Sequence, residues 1–229
     1  MPVLEVRRLR SGYGGATVLD EMSLTVGRGE IVAVVGRNGM GKTTLVKTLM
    51  GVIAATSGSV TLDGVDVTHS PPSRRVRLGM RATYQERGVF ATVSVGDNLR
   101  LNGFGPGRHG DVLEAFGDSL TGRELQLAGT LSGGEQKMLA AAIALATPAP
   151  VLVMDEPSEG LQPANVDRLG SHLERVRSSS RGVLLVEQHL GLAARVADRF
   201  VVVEKGAIVD SGTAADPGIH RRVAERLAL

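Results

Sequence analysis

Residues 31–50 constrain the fold of this chain more than any other stretch. An all-apolar run, Ile31–Val35 (IVAVV), leads into the loop GRNGMGKTT, Gly36 to Thr44, and then into a helix-forming segment ending at Met50. Five consecutive apolar residues read as a parallel strand buried on both faces. Gly36, Gly39 and Gly41 leave the backbone free to curl, and a curled backbone turns its N–H groups inward to face an anion. The helix expected over residues 42–50 adds the positive end of its dipole at the same point. The match to G-x-x-x-x-G-K-T is complete. Lys42 is placed to reach the β- and γ-phosphates of a nucleotide, and the Thr43 hydroxyl to ligate Mg²⁺. Thr44 is placed to help hold the α-phosphate, and Arg37, Asn38 and Met40 complete the cradle.

Such a cradle also needs a metal holder and a water activator. Residues 151–154 (VLVM) form a second all-apolar strand, ending in Asp155 and Glu156. A carboxylate at the C-terminal edge of a parallel sheet lies beside the phosphate loop of a neighbouring strand. Asp155 is the natural Mg²⁺ partner, through water. Glu156 lies one residue closer to the γ-phosphate and can polarise an attacking water. Between cradle and carboxylates stands LSGGEQ, Leu131 to Gln136. Ser132 offers a hydroxyl and Gly133 and Gly134 offer bare N–H groups. A helix expected from about residue 134 to 146 would aim its N-terminus at an anion as well; Glu135 and Gln136 lie in its first turn.

LSGGEQ followed closely by VLVMDEP resembles the nucleotide-binding domain of ABC ATPases, and the resemblance covers nearly the whole chain. It implies an α/β, P-loop NTPase fold with a RecA-like core sheet, an antiparallel β side sheet and an inserted α-helical subdomain. It implies that ATP and Mg²⁺ are bound. The signature 131–136 of one subunit caps the γ-phosphate held by the cradle of the other, so two incomplete half-sites make ATP the glue of a two-fold dimer. By the same resemblance Tyr13 lies under the adenine, where a flat ring suits a flat base. Gln85 senses Mg²⁺ and the attacking water, and His189, after a third buried strand at residues 183–186, contacts the γ-phosphate and orients Glu156. Lys42, Gln85, Glu156 and His189 are the expected catalytic set.

Composition sets limits on partners. Lysine and arginine total 26 against 24 acids, a net charge of +2, so charge alone implies neither nucleic-acid nor membrane-surface binding. There is no cysteine, which excludes disulfides, thiolate nucleophiles and cysteine-based metal sites. The first ten residues lack the apolar core of a signal peptide. The longest apolar stretch, residues 138–146, is far short of the roughly 20 residues that span a bilayer. A channel, if this chain drives transport, must be another chain.

Periodicity and turn residues give the order of elements. Strands are expected at residues 3–7 and 18–26 in the side sheet, then at 60–62 before an Asp63-Gly64 turn. A short basic helix follows Pro71-Pro72. Helical pieces at residues 95–101 and 112–116 lie in a segment that lacks strand alternation. Further helices are expected at residues 163–178, from His189, and over 219–229. Paired strands at residues 200–203 and 207–209 turn at Lys205-Gly206. One ABC ATPase domain is expected, with residues 1–87 and 146–229 as core and 88–145 as the helical signature subdomain.

GRNGMGKTT, LSGGEQKMLA and DEPSEGLQP resemble the ATPase subunits of branched-chain amino acid and urea importers. The resemblance implies permease subunits, a second ATPase (this chain or a paralogue), an extracytoplasmic solute-binding protein and a peripheral place on the cytoplasmic face of the membrane. An ABC exporter ATPase and a non-transport ABC ATPase are the alternatives. Three positions depart from the family pattern: Ile143 where many members carry arginine, Gln162 where an aspartate is common, and no proline before Gln85.

Overall fold

The computed structural model describes residues 1–85, 88–114 and 120–228. In chain order the strands are β1 (Leu4–Tyr13), β2 (Ala16–Val26), β3 (Ile31–Val35), β4 (Ala55–Leu62), β5 (Val65–Asp66), β6 (Met80–Thr83), β7 (Val151–Asp155), β8 (Gly182–Glu187), β9 (Arg199–Glu204) and β10 (Ala207–Thr213). The helices are α1 (Lys42–Leu49), α2 (Pro72–Arg77), α3 (Val95–Leu101), α4 (His109–Glu114), α5 (Gly133–Ala146), α6 (Pro163–Ser178), α7 (Leu190–Val196) and α8 (Ile219–Ala228). The expected helix over 112–116 is thus part of α4 as far as Glu114. Its remainder, and the last residue of the expected 219–229 helix, lie outside the described residues.

A six-stranded sheet runs β10-β9-β3-β8-β7-β6, and an antiparallel sheet runs β2-β1-β4-β5. In the larger sheet only β10 runs against the others. β3, β7 and β8 are buried along their whole length, which is why they read as unbroken apolar runs. Their side chains alternate between two cores. Ile31, Ala33, Val35, Leu152 and Met154 face the layer built from α5, α6 and α7. Val32, Val34, Val151 and Val153 face α1 and the antiparallel sheet. Burying one such side chain contributes roughly 1.5–3 kcal/mol.

One expectation is corrected. The strand that ends in Asp155 is not the immediate neighbour of the cradle strand, because β8 lies between β3 and β7. The cradle and the carboxylates therefore face each other across one strand width, and Glu187, the last residue of β8, stands in that gap.

The side-sheet strands outrun their expected limits. β1 continues to Tyr13 through register shifts against both neighbours, and Arg8 takes φ of 44°. A bulge of this kind breaks the period-2 pattern, so the alternation that marks a strand stops at Arg7 although the strand does not. Arg8 and Arg10 pair with Glu21 and Asp20 on β2.

Two arginines, one buried and one half-buried, finish α1 and α5. Arg75 is 2% exposed. It donates to the carbonyls of Thr48 and Leu49, the end of α1, at 2.9 and 2.6 Å, and to Thr68 and Ser70 at 2.8 and 3.0 Å. Arg181 donates to the Ala144 and Leu145 carbonyls at the end of α5 and to that of Ala149 just beyond it. The last carbonyls of a helix have no intrahelical donors, and each guanidinium supplies them.

Candidate active site

β3 ends at Val35 and the chain turns into the loop through Gly36. A Cβ at Gly36 would lie 2.5 Å from the Val203 carbonyl oxygen, so only glycine lets the loop pass β9. Gly41 caps α1 at φ 96° with no side-chain cap. The first N–H groups of α1 thus remain open toward the loop. Arg37, Asn38 and Gly39 are exposed, while Gly41, Lys42 and Thr44 are buried. The loop is tied down at Met40: its carbonyl accepts from Gly206 N–H at 3.0 Å and its sulfur from Lys205 N–H at 3.2 Å.

Lys42 Nζ lies 3.1 Å from Glu156 Oε1, both side chains about 95% buried. The same ammonium donates to the Gly36 and Arg37 carbonyls at 2.7 and 3.1 Å. Gln85, two residues past β6, donates from Nε2 to Glu156 Oε2 at 2.9 Å and to Glu159 Oε2 at 3.3 Å. Glu159 also pairs with Lys137 of α5 at 3.0 Å. Residues 42, 85 and 156, which lie on three separate segments, are therefore brought into one cluster.

Asp155 is 1% exposed, and neither carboxylate oxygen has a well-formed hydrogen bond. Burial pushes it up to about 6, with the nearby Thr43 hydroxyl and Lys42 restraining the rise and Glu156 adding to it. A buried carboxylate left unpartnered beside a threonine hydroxyl suits a hard divalent cation. Mg²⁺ is held by one or two protein oxygens together with substrate phosphates. Among the described residues no group of three or more His, Cys, Asp or Glu could hold a metal alone.

The signature begins α5. Ser132 caps the helix, accepting from Glu135 N–H at 3.3 Å, and Glu135 Oε2 accepts from Ser132 N–H at 2.8 Å. This reciprocal capping box satisfies two donors, and Ser132 itself stands exposed. Ser132 and Gly133 are exposed, Leu131 is buried, and Gln136 bonds the Leu131 carbonyl. The signature does not contact Lys42 or Glu156 of its own chain in any hydrogen bond or ion pair among the described residues. Tyr13 is half-exposed at the end of β1. His189 is exposed at the start of α7 and caps it without a side-chain bond; the structure does not bring it onto Glu156.

Sequence reasoning missed Glu187. It is 1% exposed; Oε1 accepts from Ser158 N–H at 3.1 Å and Oε2 has no partner. Burial pushes its carboxyl up, Ser158 works against that, and the charge of Glu156 adds to it. A glutamate closing an apolar strand carries no sequence signal, because strand ends are commonly polar.

The pattern of the ABC transporter family matches residues 19–159. The high-affinity branched-chain amino acid transport ATP-binding protein BraG of Pseudomonas aeruginosa is 37% identical over 219 residues, covering 93% of this chain and 94% of that protein. The probable branched-chain amino acid transport ATP-binding protein LivF of Archaeoglobus fulgidus is 34% identical, covering 99% and 98%. The lipopolysaccharide export system ATP-binding protein LptB of Escherichia coli is 30% identical, covering 93% and 91%. A solved ATP-binding subunit of an ABC transporter superposes with TM-score 0.87 at 24% identity, covering 99% and 100%, which establishes the shared fold. The chain belongs to the ABC transporter family, as an ATP-binding subunit with ATPase activity.

Proposed function

We propose that this chain powers an importer of small polar solutes, branched-chain amino acids or urea, by hydrolysing Mg²⁺-ATP. The transport reading rests on BraG and LivF, which match nearly the whole chain and whose names state branched-chain amino acid transport. Export is the second reading, since LptB matches over a similar length. The chemical reading rests on one observation: Lys42 and Gln85 both contact Glu156, beside the unpartnered oxygens of Asp155.

In this reading residues 36–44 cradle the phosphates, and Tyr13 stacks on adenine. Lys42 exchanges its bonds to Glu156 and to the loop carbonyls for bonds to the β- and γ-phosphates. That exchange releases Glu156 to accept a proton from water as its oxygen attacks the γ-phosphorus. The bond to the β–γ bridging oxygen breaks, giving ADP and phosphate. Mg²⁺, when bound, spreads the charge that develops on the β- and γ-oxygens; Thr43, Gln85 and Asp155 (through water) would hold it. His189 swings from its exposed place onto the γ-phosphate when the dimer closes. Leu131 to Gln136 act on the partner's site, with the exposed Ser132 hydroxyl turned to its phosphate.

The dimer forms with a second ATPase subunit, this chain or a paralogue, and drives separate permease subunits fed by an extracytoplasmic solute-binding protein. Residues 88–145 act as the signature arm on a core of 1–87 and 146–229. The proposed place is peripheral, on the cytoplasmic face of the membrane, by likeness to the transport ATP-binding proteins BraG and LivF; among the described residues no helix is long and apolar enough to cross a membrane. Nucleic acid has no part in it.

Tagged Glu156→Gln, captured from native membranes with Mg²⁺-ATP, tests the reading. Recovery of permeases, a second ATPase and a solute-binding protein supports import, and ligand binding by that last protein names the cargo. Recovery of an envelope-export assembly, or of soluble proteins alone, overturns it.

A further inference from the structure

Glu156 sits in a backbone conformation that its residue type disfavours. Its φ is 47°, in the left-handed region, where a non-glycine residue costs of the order of 1–3 kcal/mol and persists only when its surroundings over-determine it. Its carbonyl accepts from Glu159 N–H at 3.3 Å, and two further bonds to this stretch of backbone come from the end of β8. Glu156 N–H donates to the Val186 carbonyl at 2.9 Å, extending the β7–β8 ladder by one residue. The next residue, Pro157, has no N–H to give. The next donor is Ser158 N–H, which lies beyond the reach of the strand ladder and is taken by the side chain of Glu187 at 3.1 Å.

Glu187 is an expensive way to make that bond. A carboxylate that is 1% exposed, with one oxygen unpartnered, is costly to bury, and an apolar residue of the same volume would fill the site more cheaply. The cost has a return only if the bond to Ser158 matters.

We propose that Glu187 is a positioning residue for ATP hydrolysis: with Val186 it clamps the backbone on both sides of Glu156 and so fixes the carboxylate that activates water. Glu187 makes no side-chain hydrogen bond or ion pair to residues 36–44 among the described residues, so nucleotide binding is left to the cradle. It bears on the step in which the Glu156 oxygen must lie within hydrogen-bond reach of the attacking water, where a displacement of about 1 Å can cost about 10²-fold in rate. The inference rests on Glu156 as water activator.

The test compares Glu187→Leu, Glu187→Gln and Glu156→Gln in steady-state ATP hydrolysis, with nucleotide titration and thermal melting alongside. Glu187→Leu, which cannot accept from Ser158, should lower kcat by about 10- to 100-fold with KM for ATP within about threefold. Glu187→Gln keeps an amide oxygen on Ser158 and should restore most of that loss. Combining Glu187→Leu with Glu156→Gln should cost no more than Glu156→Gln alone, because the two act as one unit. Wild-type kcat in folded Glu187→Leu overturns the inference, as does an equal loss in Leu and Gln variants. If Leu does not fold, a Gln variant with kcat reduced as far as in Glu156→Gln overturns it equally. Full turnover by Glu156→Gln would instead overturn the assignment of the water activator.

Discussion

Replacing Arg75 with methionine should loosen the far end of the cradle helix. The guanidinium is 2% exposed and makes four hydrogen bonds to carbonyls, two of them at the C-terminus of α1. No carboxylate lies within ion-pair distance of it among the described residues. Burial lowers its pKa and the more distant Asp66 opposes that. The Thr48 carbonyl keeps a second donor in Gly51 N–H at 3.0 Å, which leaves the Leu49, Thr68 and Ser70 carbonyls to lose their arginine bonds. Each buried group left without a partner costs about 1–3 kcal/mol. Part of this is offset, because a charged group no longer has to be desolvated. A net loss of about 2–4 kcal/mol follows. For a chain of this size that lowers the melting temperature by roughly 4–16 °C. Thermal melting of the nucleotide-free protein measures it, with Arg75→Lys expected between wild type and methionine because a compact ammonium reaches fewer of the four carbonyls. An Arg75→Met protein that melts within about 2 °C of wild type would refute the reasoning, and would mean that burying the charge costs as much as its bonds return.

Three further outcomes are expected. Lys42→Ala should weaken ATP binding by at least about tenfold, since it removes the ammonium aimed at the phosphates; an unchanged titration curve contradicts the cradle assignment. Ser132→Ala should cost about 1 kcal/mol of stability through the lost helix cap. It should leave ATP binding by the monomer intact and cut turnover, and a fully active variant would remove the cross-dimer role. Asp155 titrates at about 6 in the folded chain and near 4 unfolded. The folded state therefore holds the extra proton more tightly, and stability falls as pH rises from about 4 to about 6. Two pKa units are worth about 2–3 kcal/mol. In EDTA, Asp155→Asn should thus melt higher than wild type at pH 8, with the gain shrinking toward pH 4.5; equal gains at both would refute the shift.

The sequence made legible those parts whose residues answer to local rules. β3, β7 and β8 stand out because both their faces are buried, and the run of apolar residues matches the strand. α6 is bounded at Pro163 and Ser178 by an N-terminal proline and a polar end. Lys42 and Glu156 follow from motif spacing, and Gln85 joins them only through the family resemblance. The rest depends on what the chain meets after folding. Arg75 in SRRVR looks like a surface cation, and only the carbonyls gathered around it show otherwise. The strand between cradle and carboxylates could not be placed, because a run of apolar residues does not say which neighbour it pairs with. Glu187 was hidden for the same reason: its partner, Ser158, is 29 residues away.

The position of β3 has a consequence for the order of assembly. Its two neighbours are β8 and β9, so both partners of the cradle strand come from the last quarter of the chain. Met40, inside the loop, is tied to Lys205 and Gly206. A nascent chain would carry the complete phosphate motif once Thr44 is made, yet have no partner for the strand beneath it until β8, residues 182–187, had emerged from the ribosome. Long-range pairing of this kind forms slowly. A truncation that spares every motif but removes β9 and β10 should yield a protein unable to hold nucleotide at all.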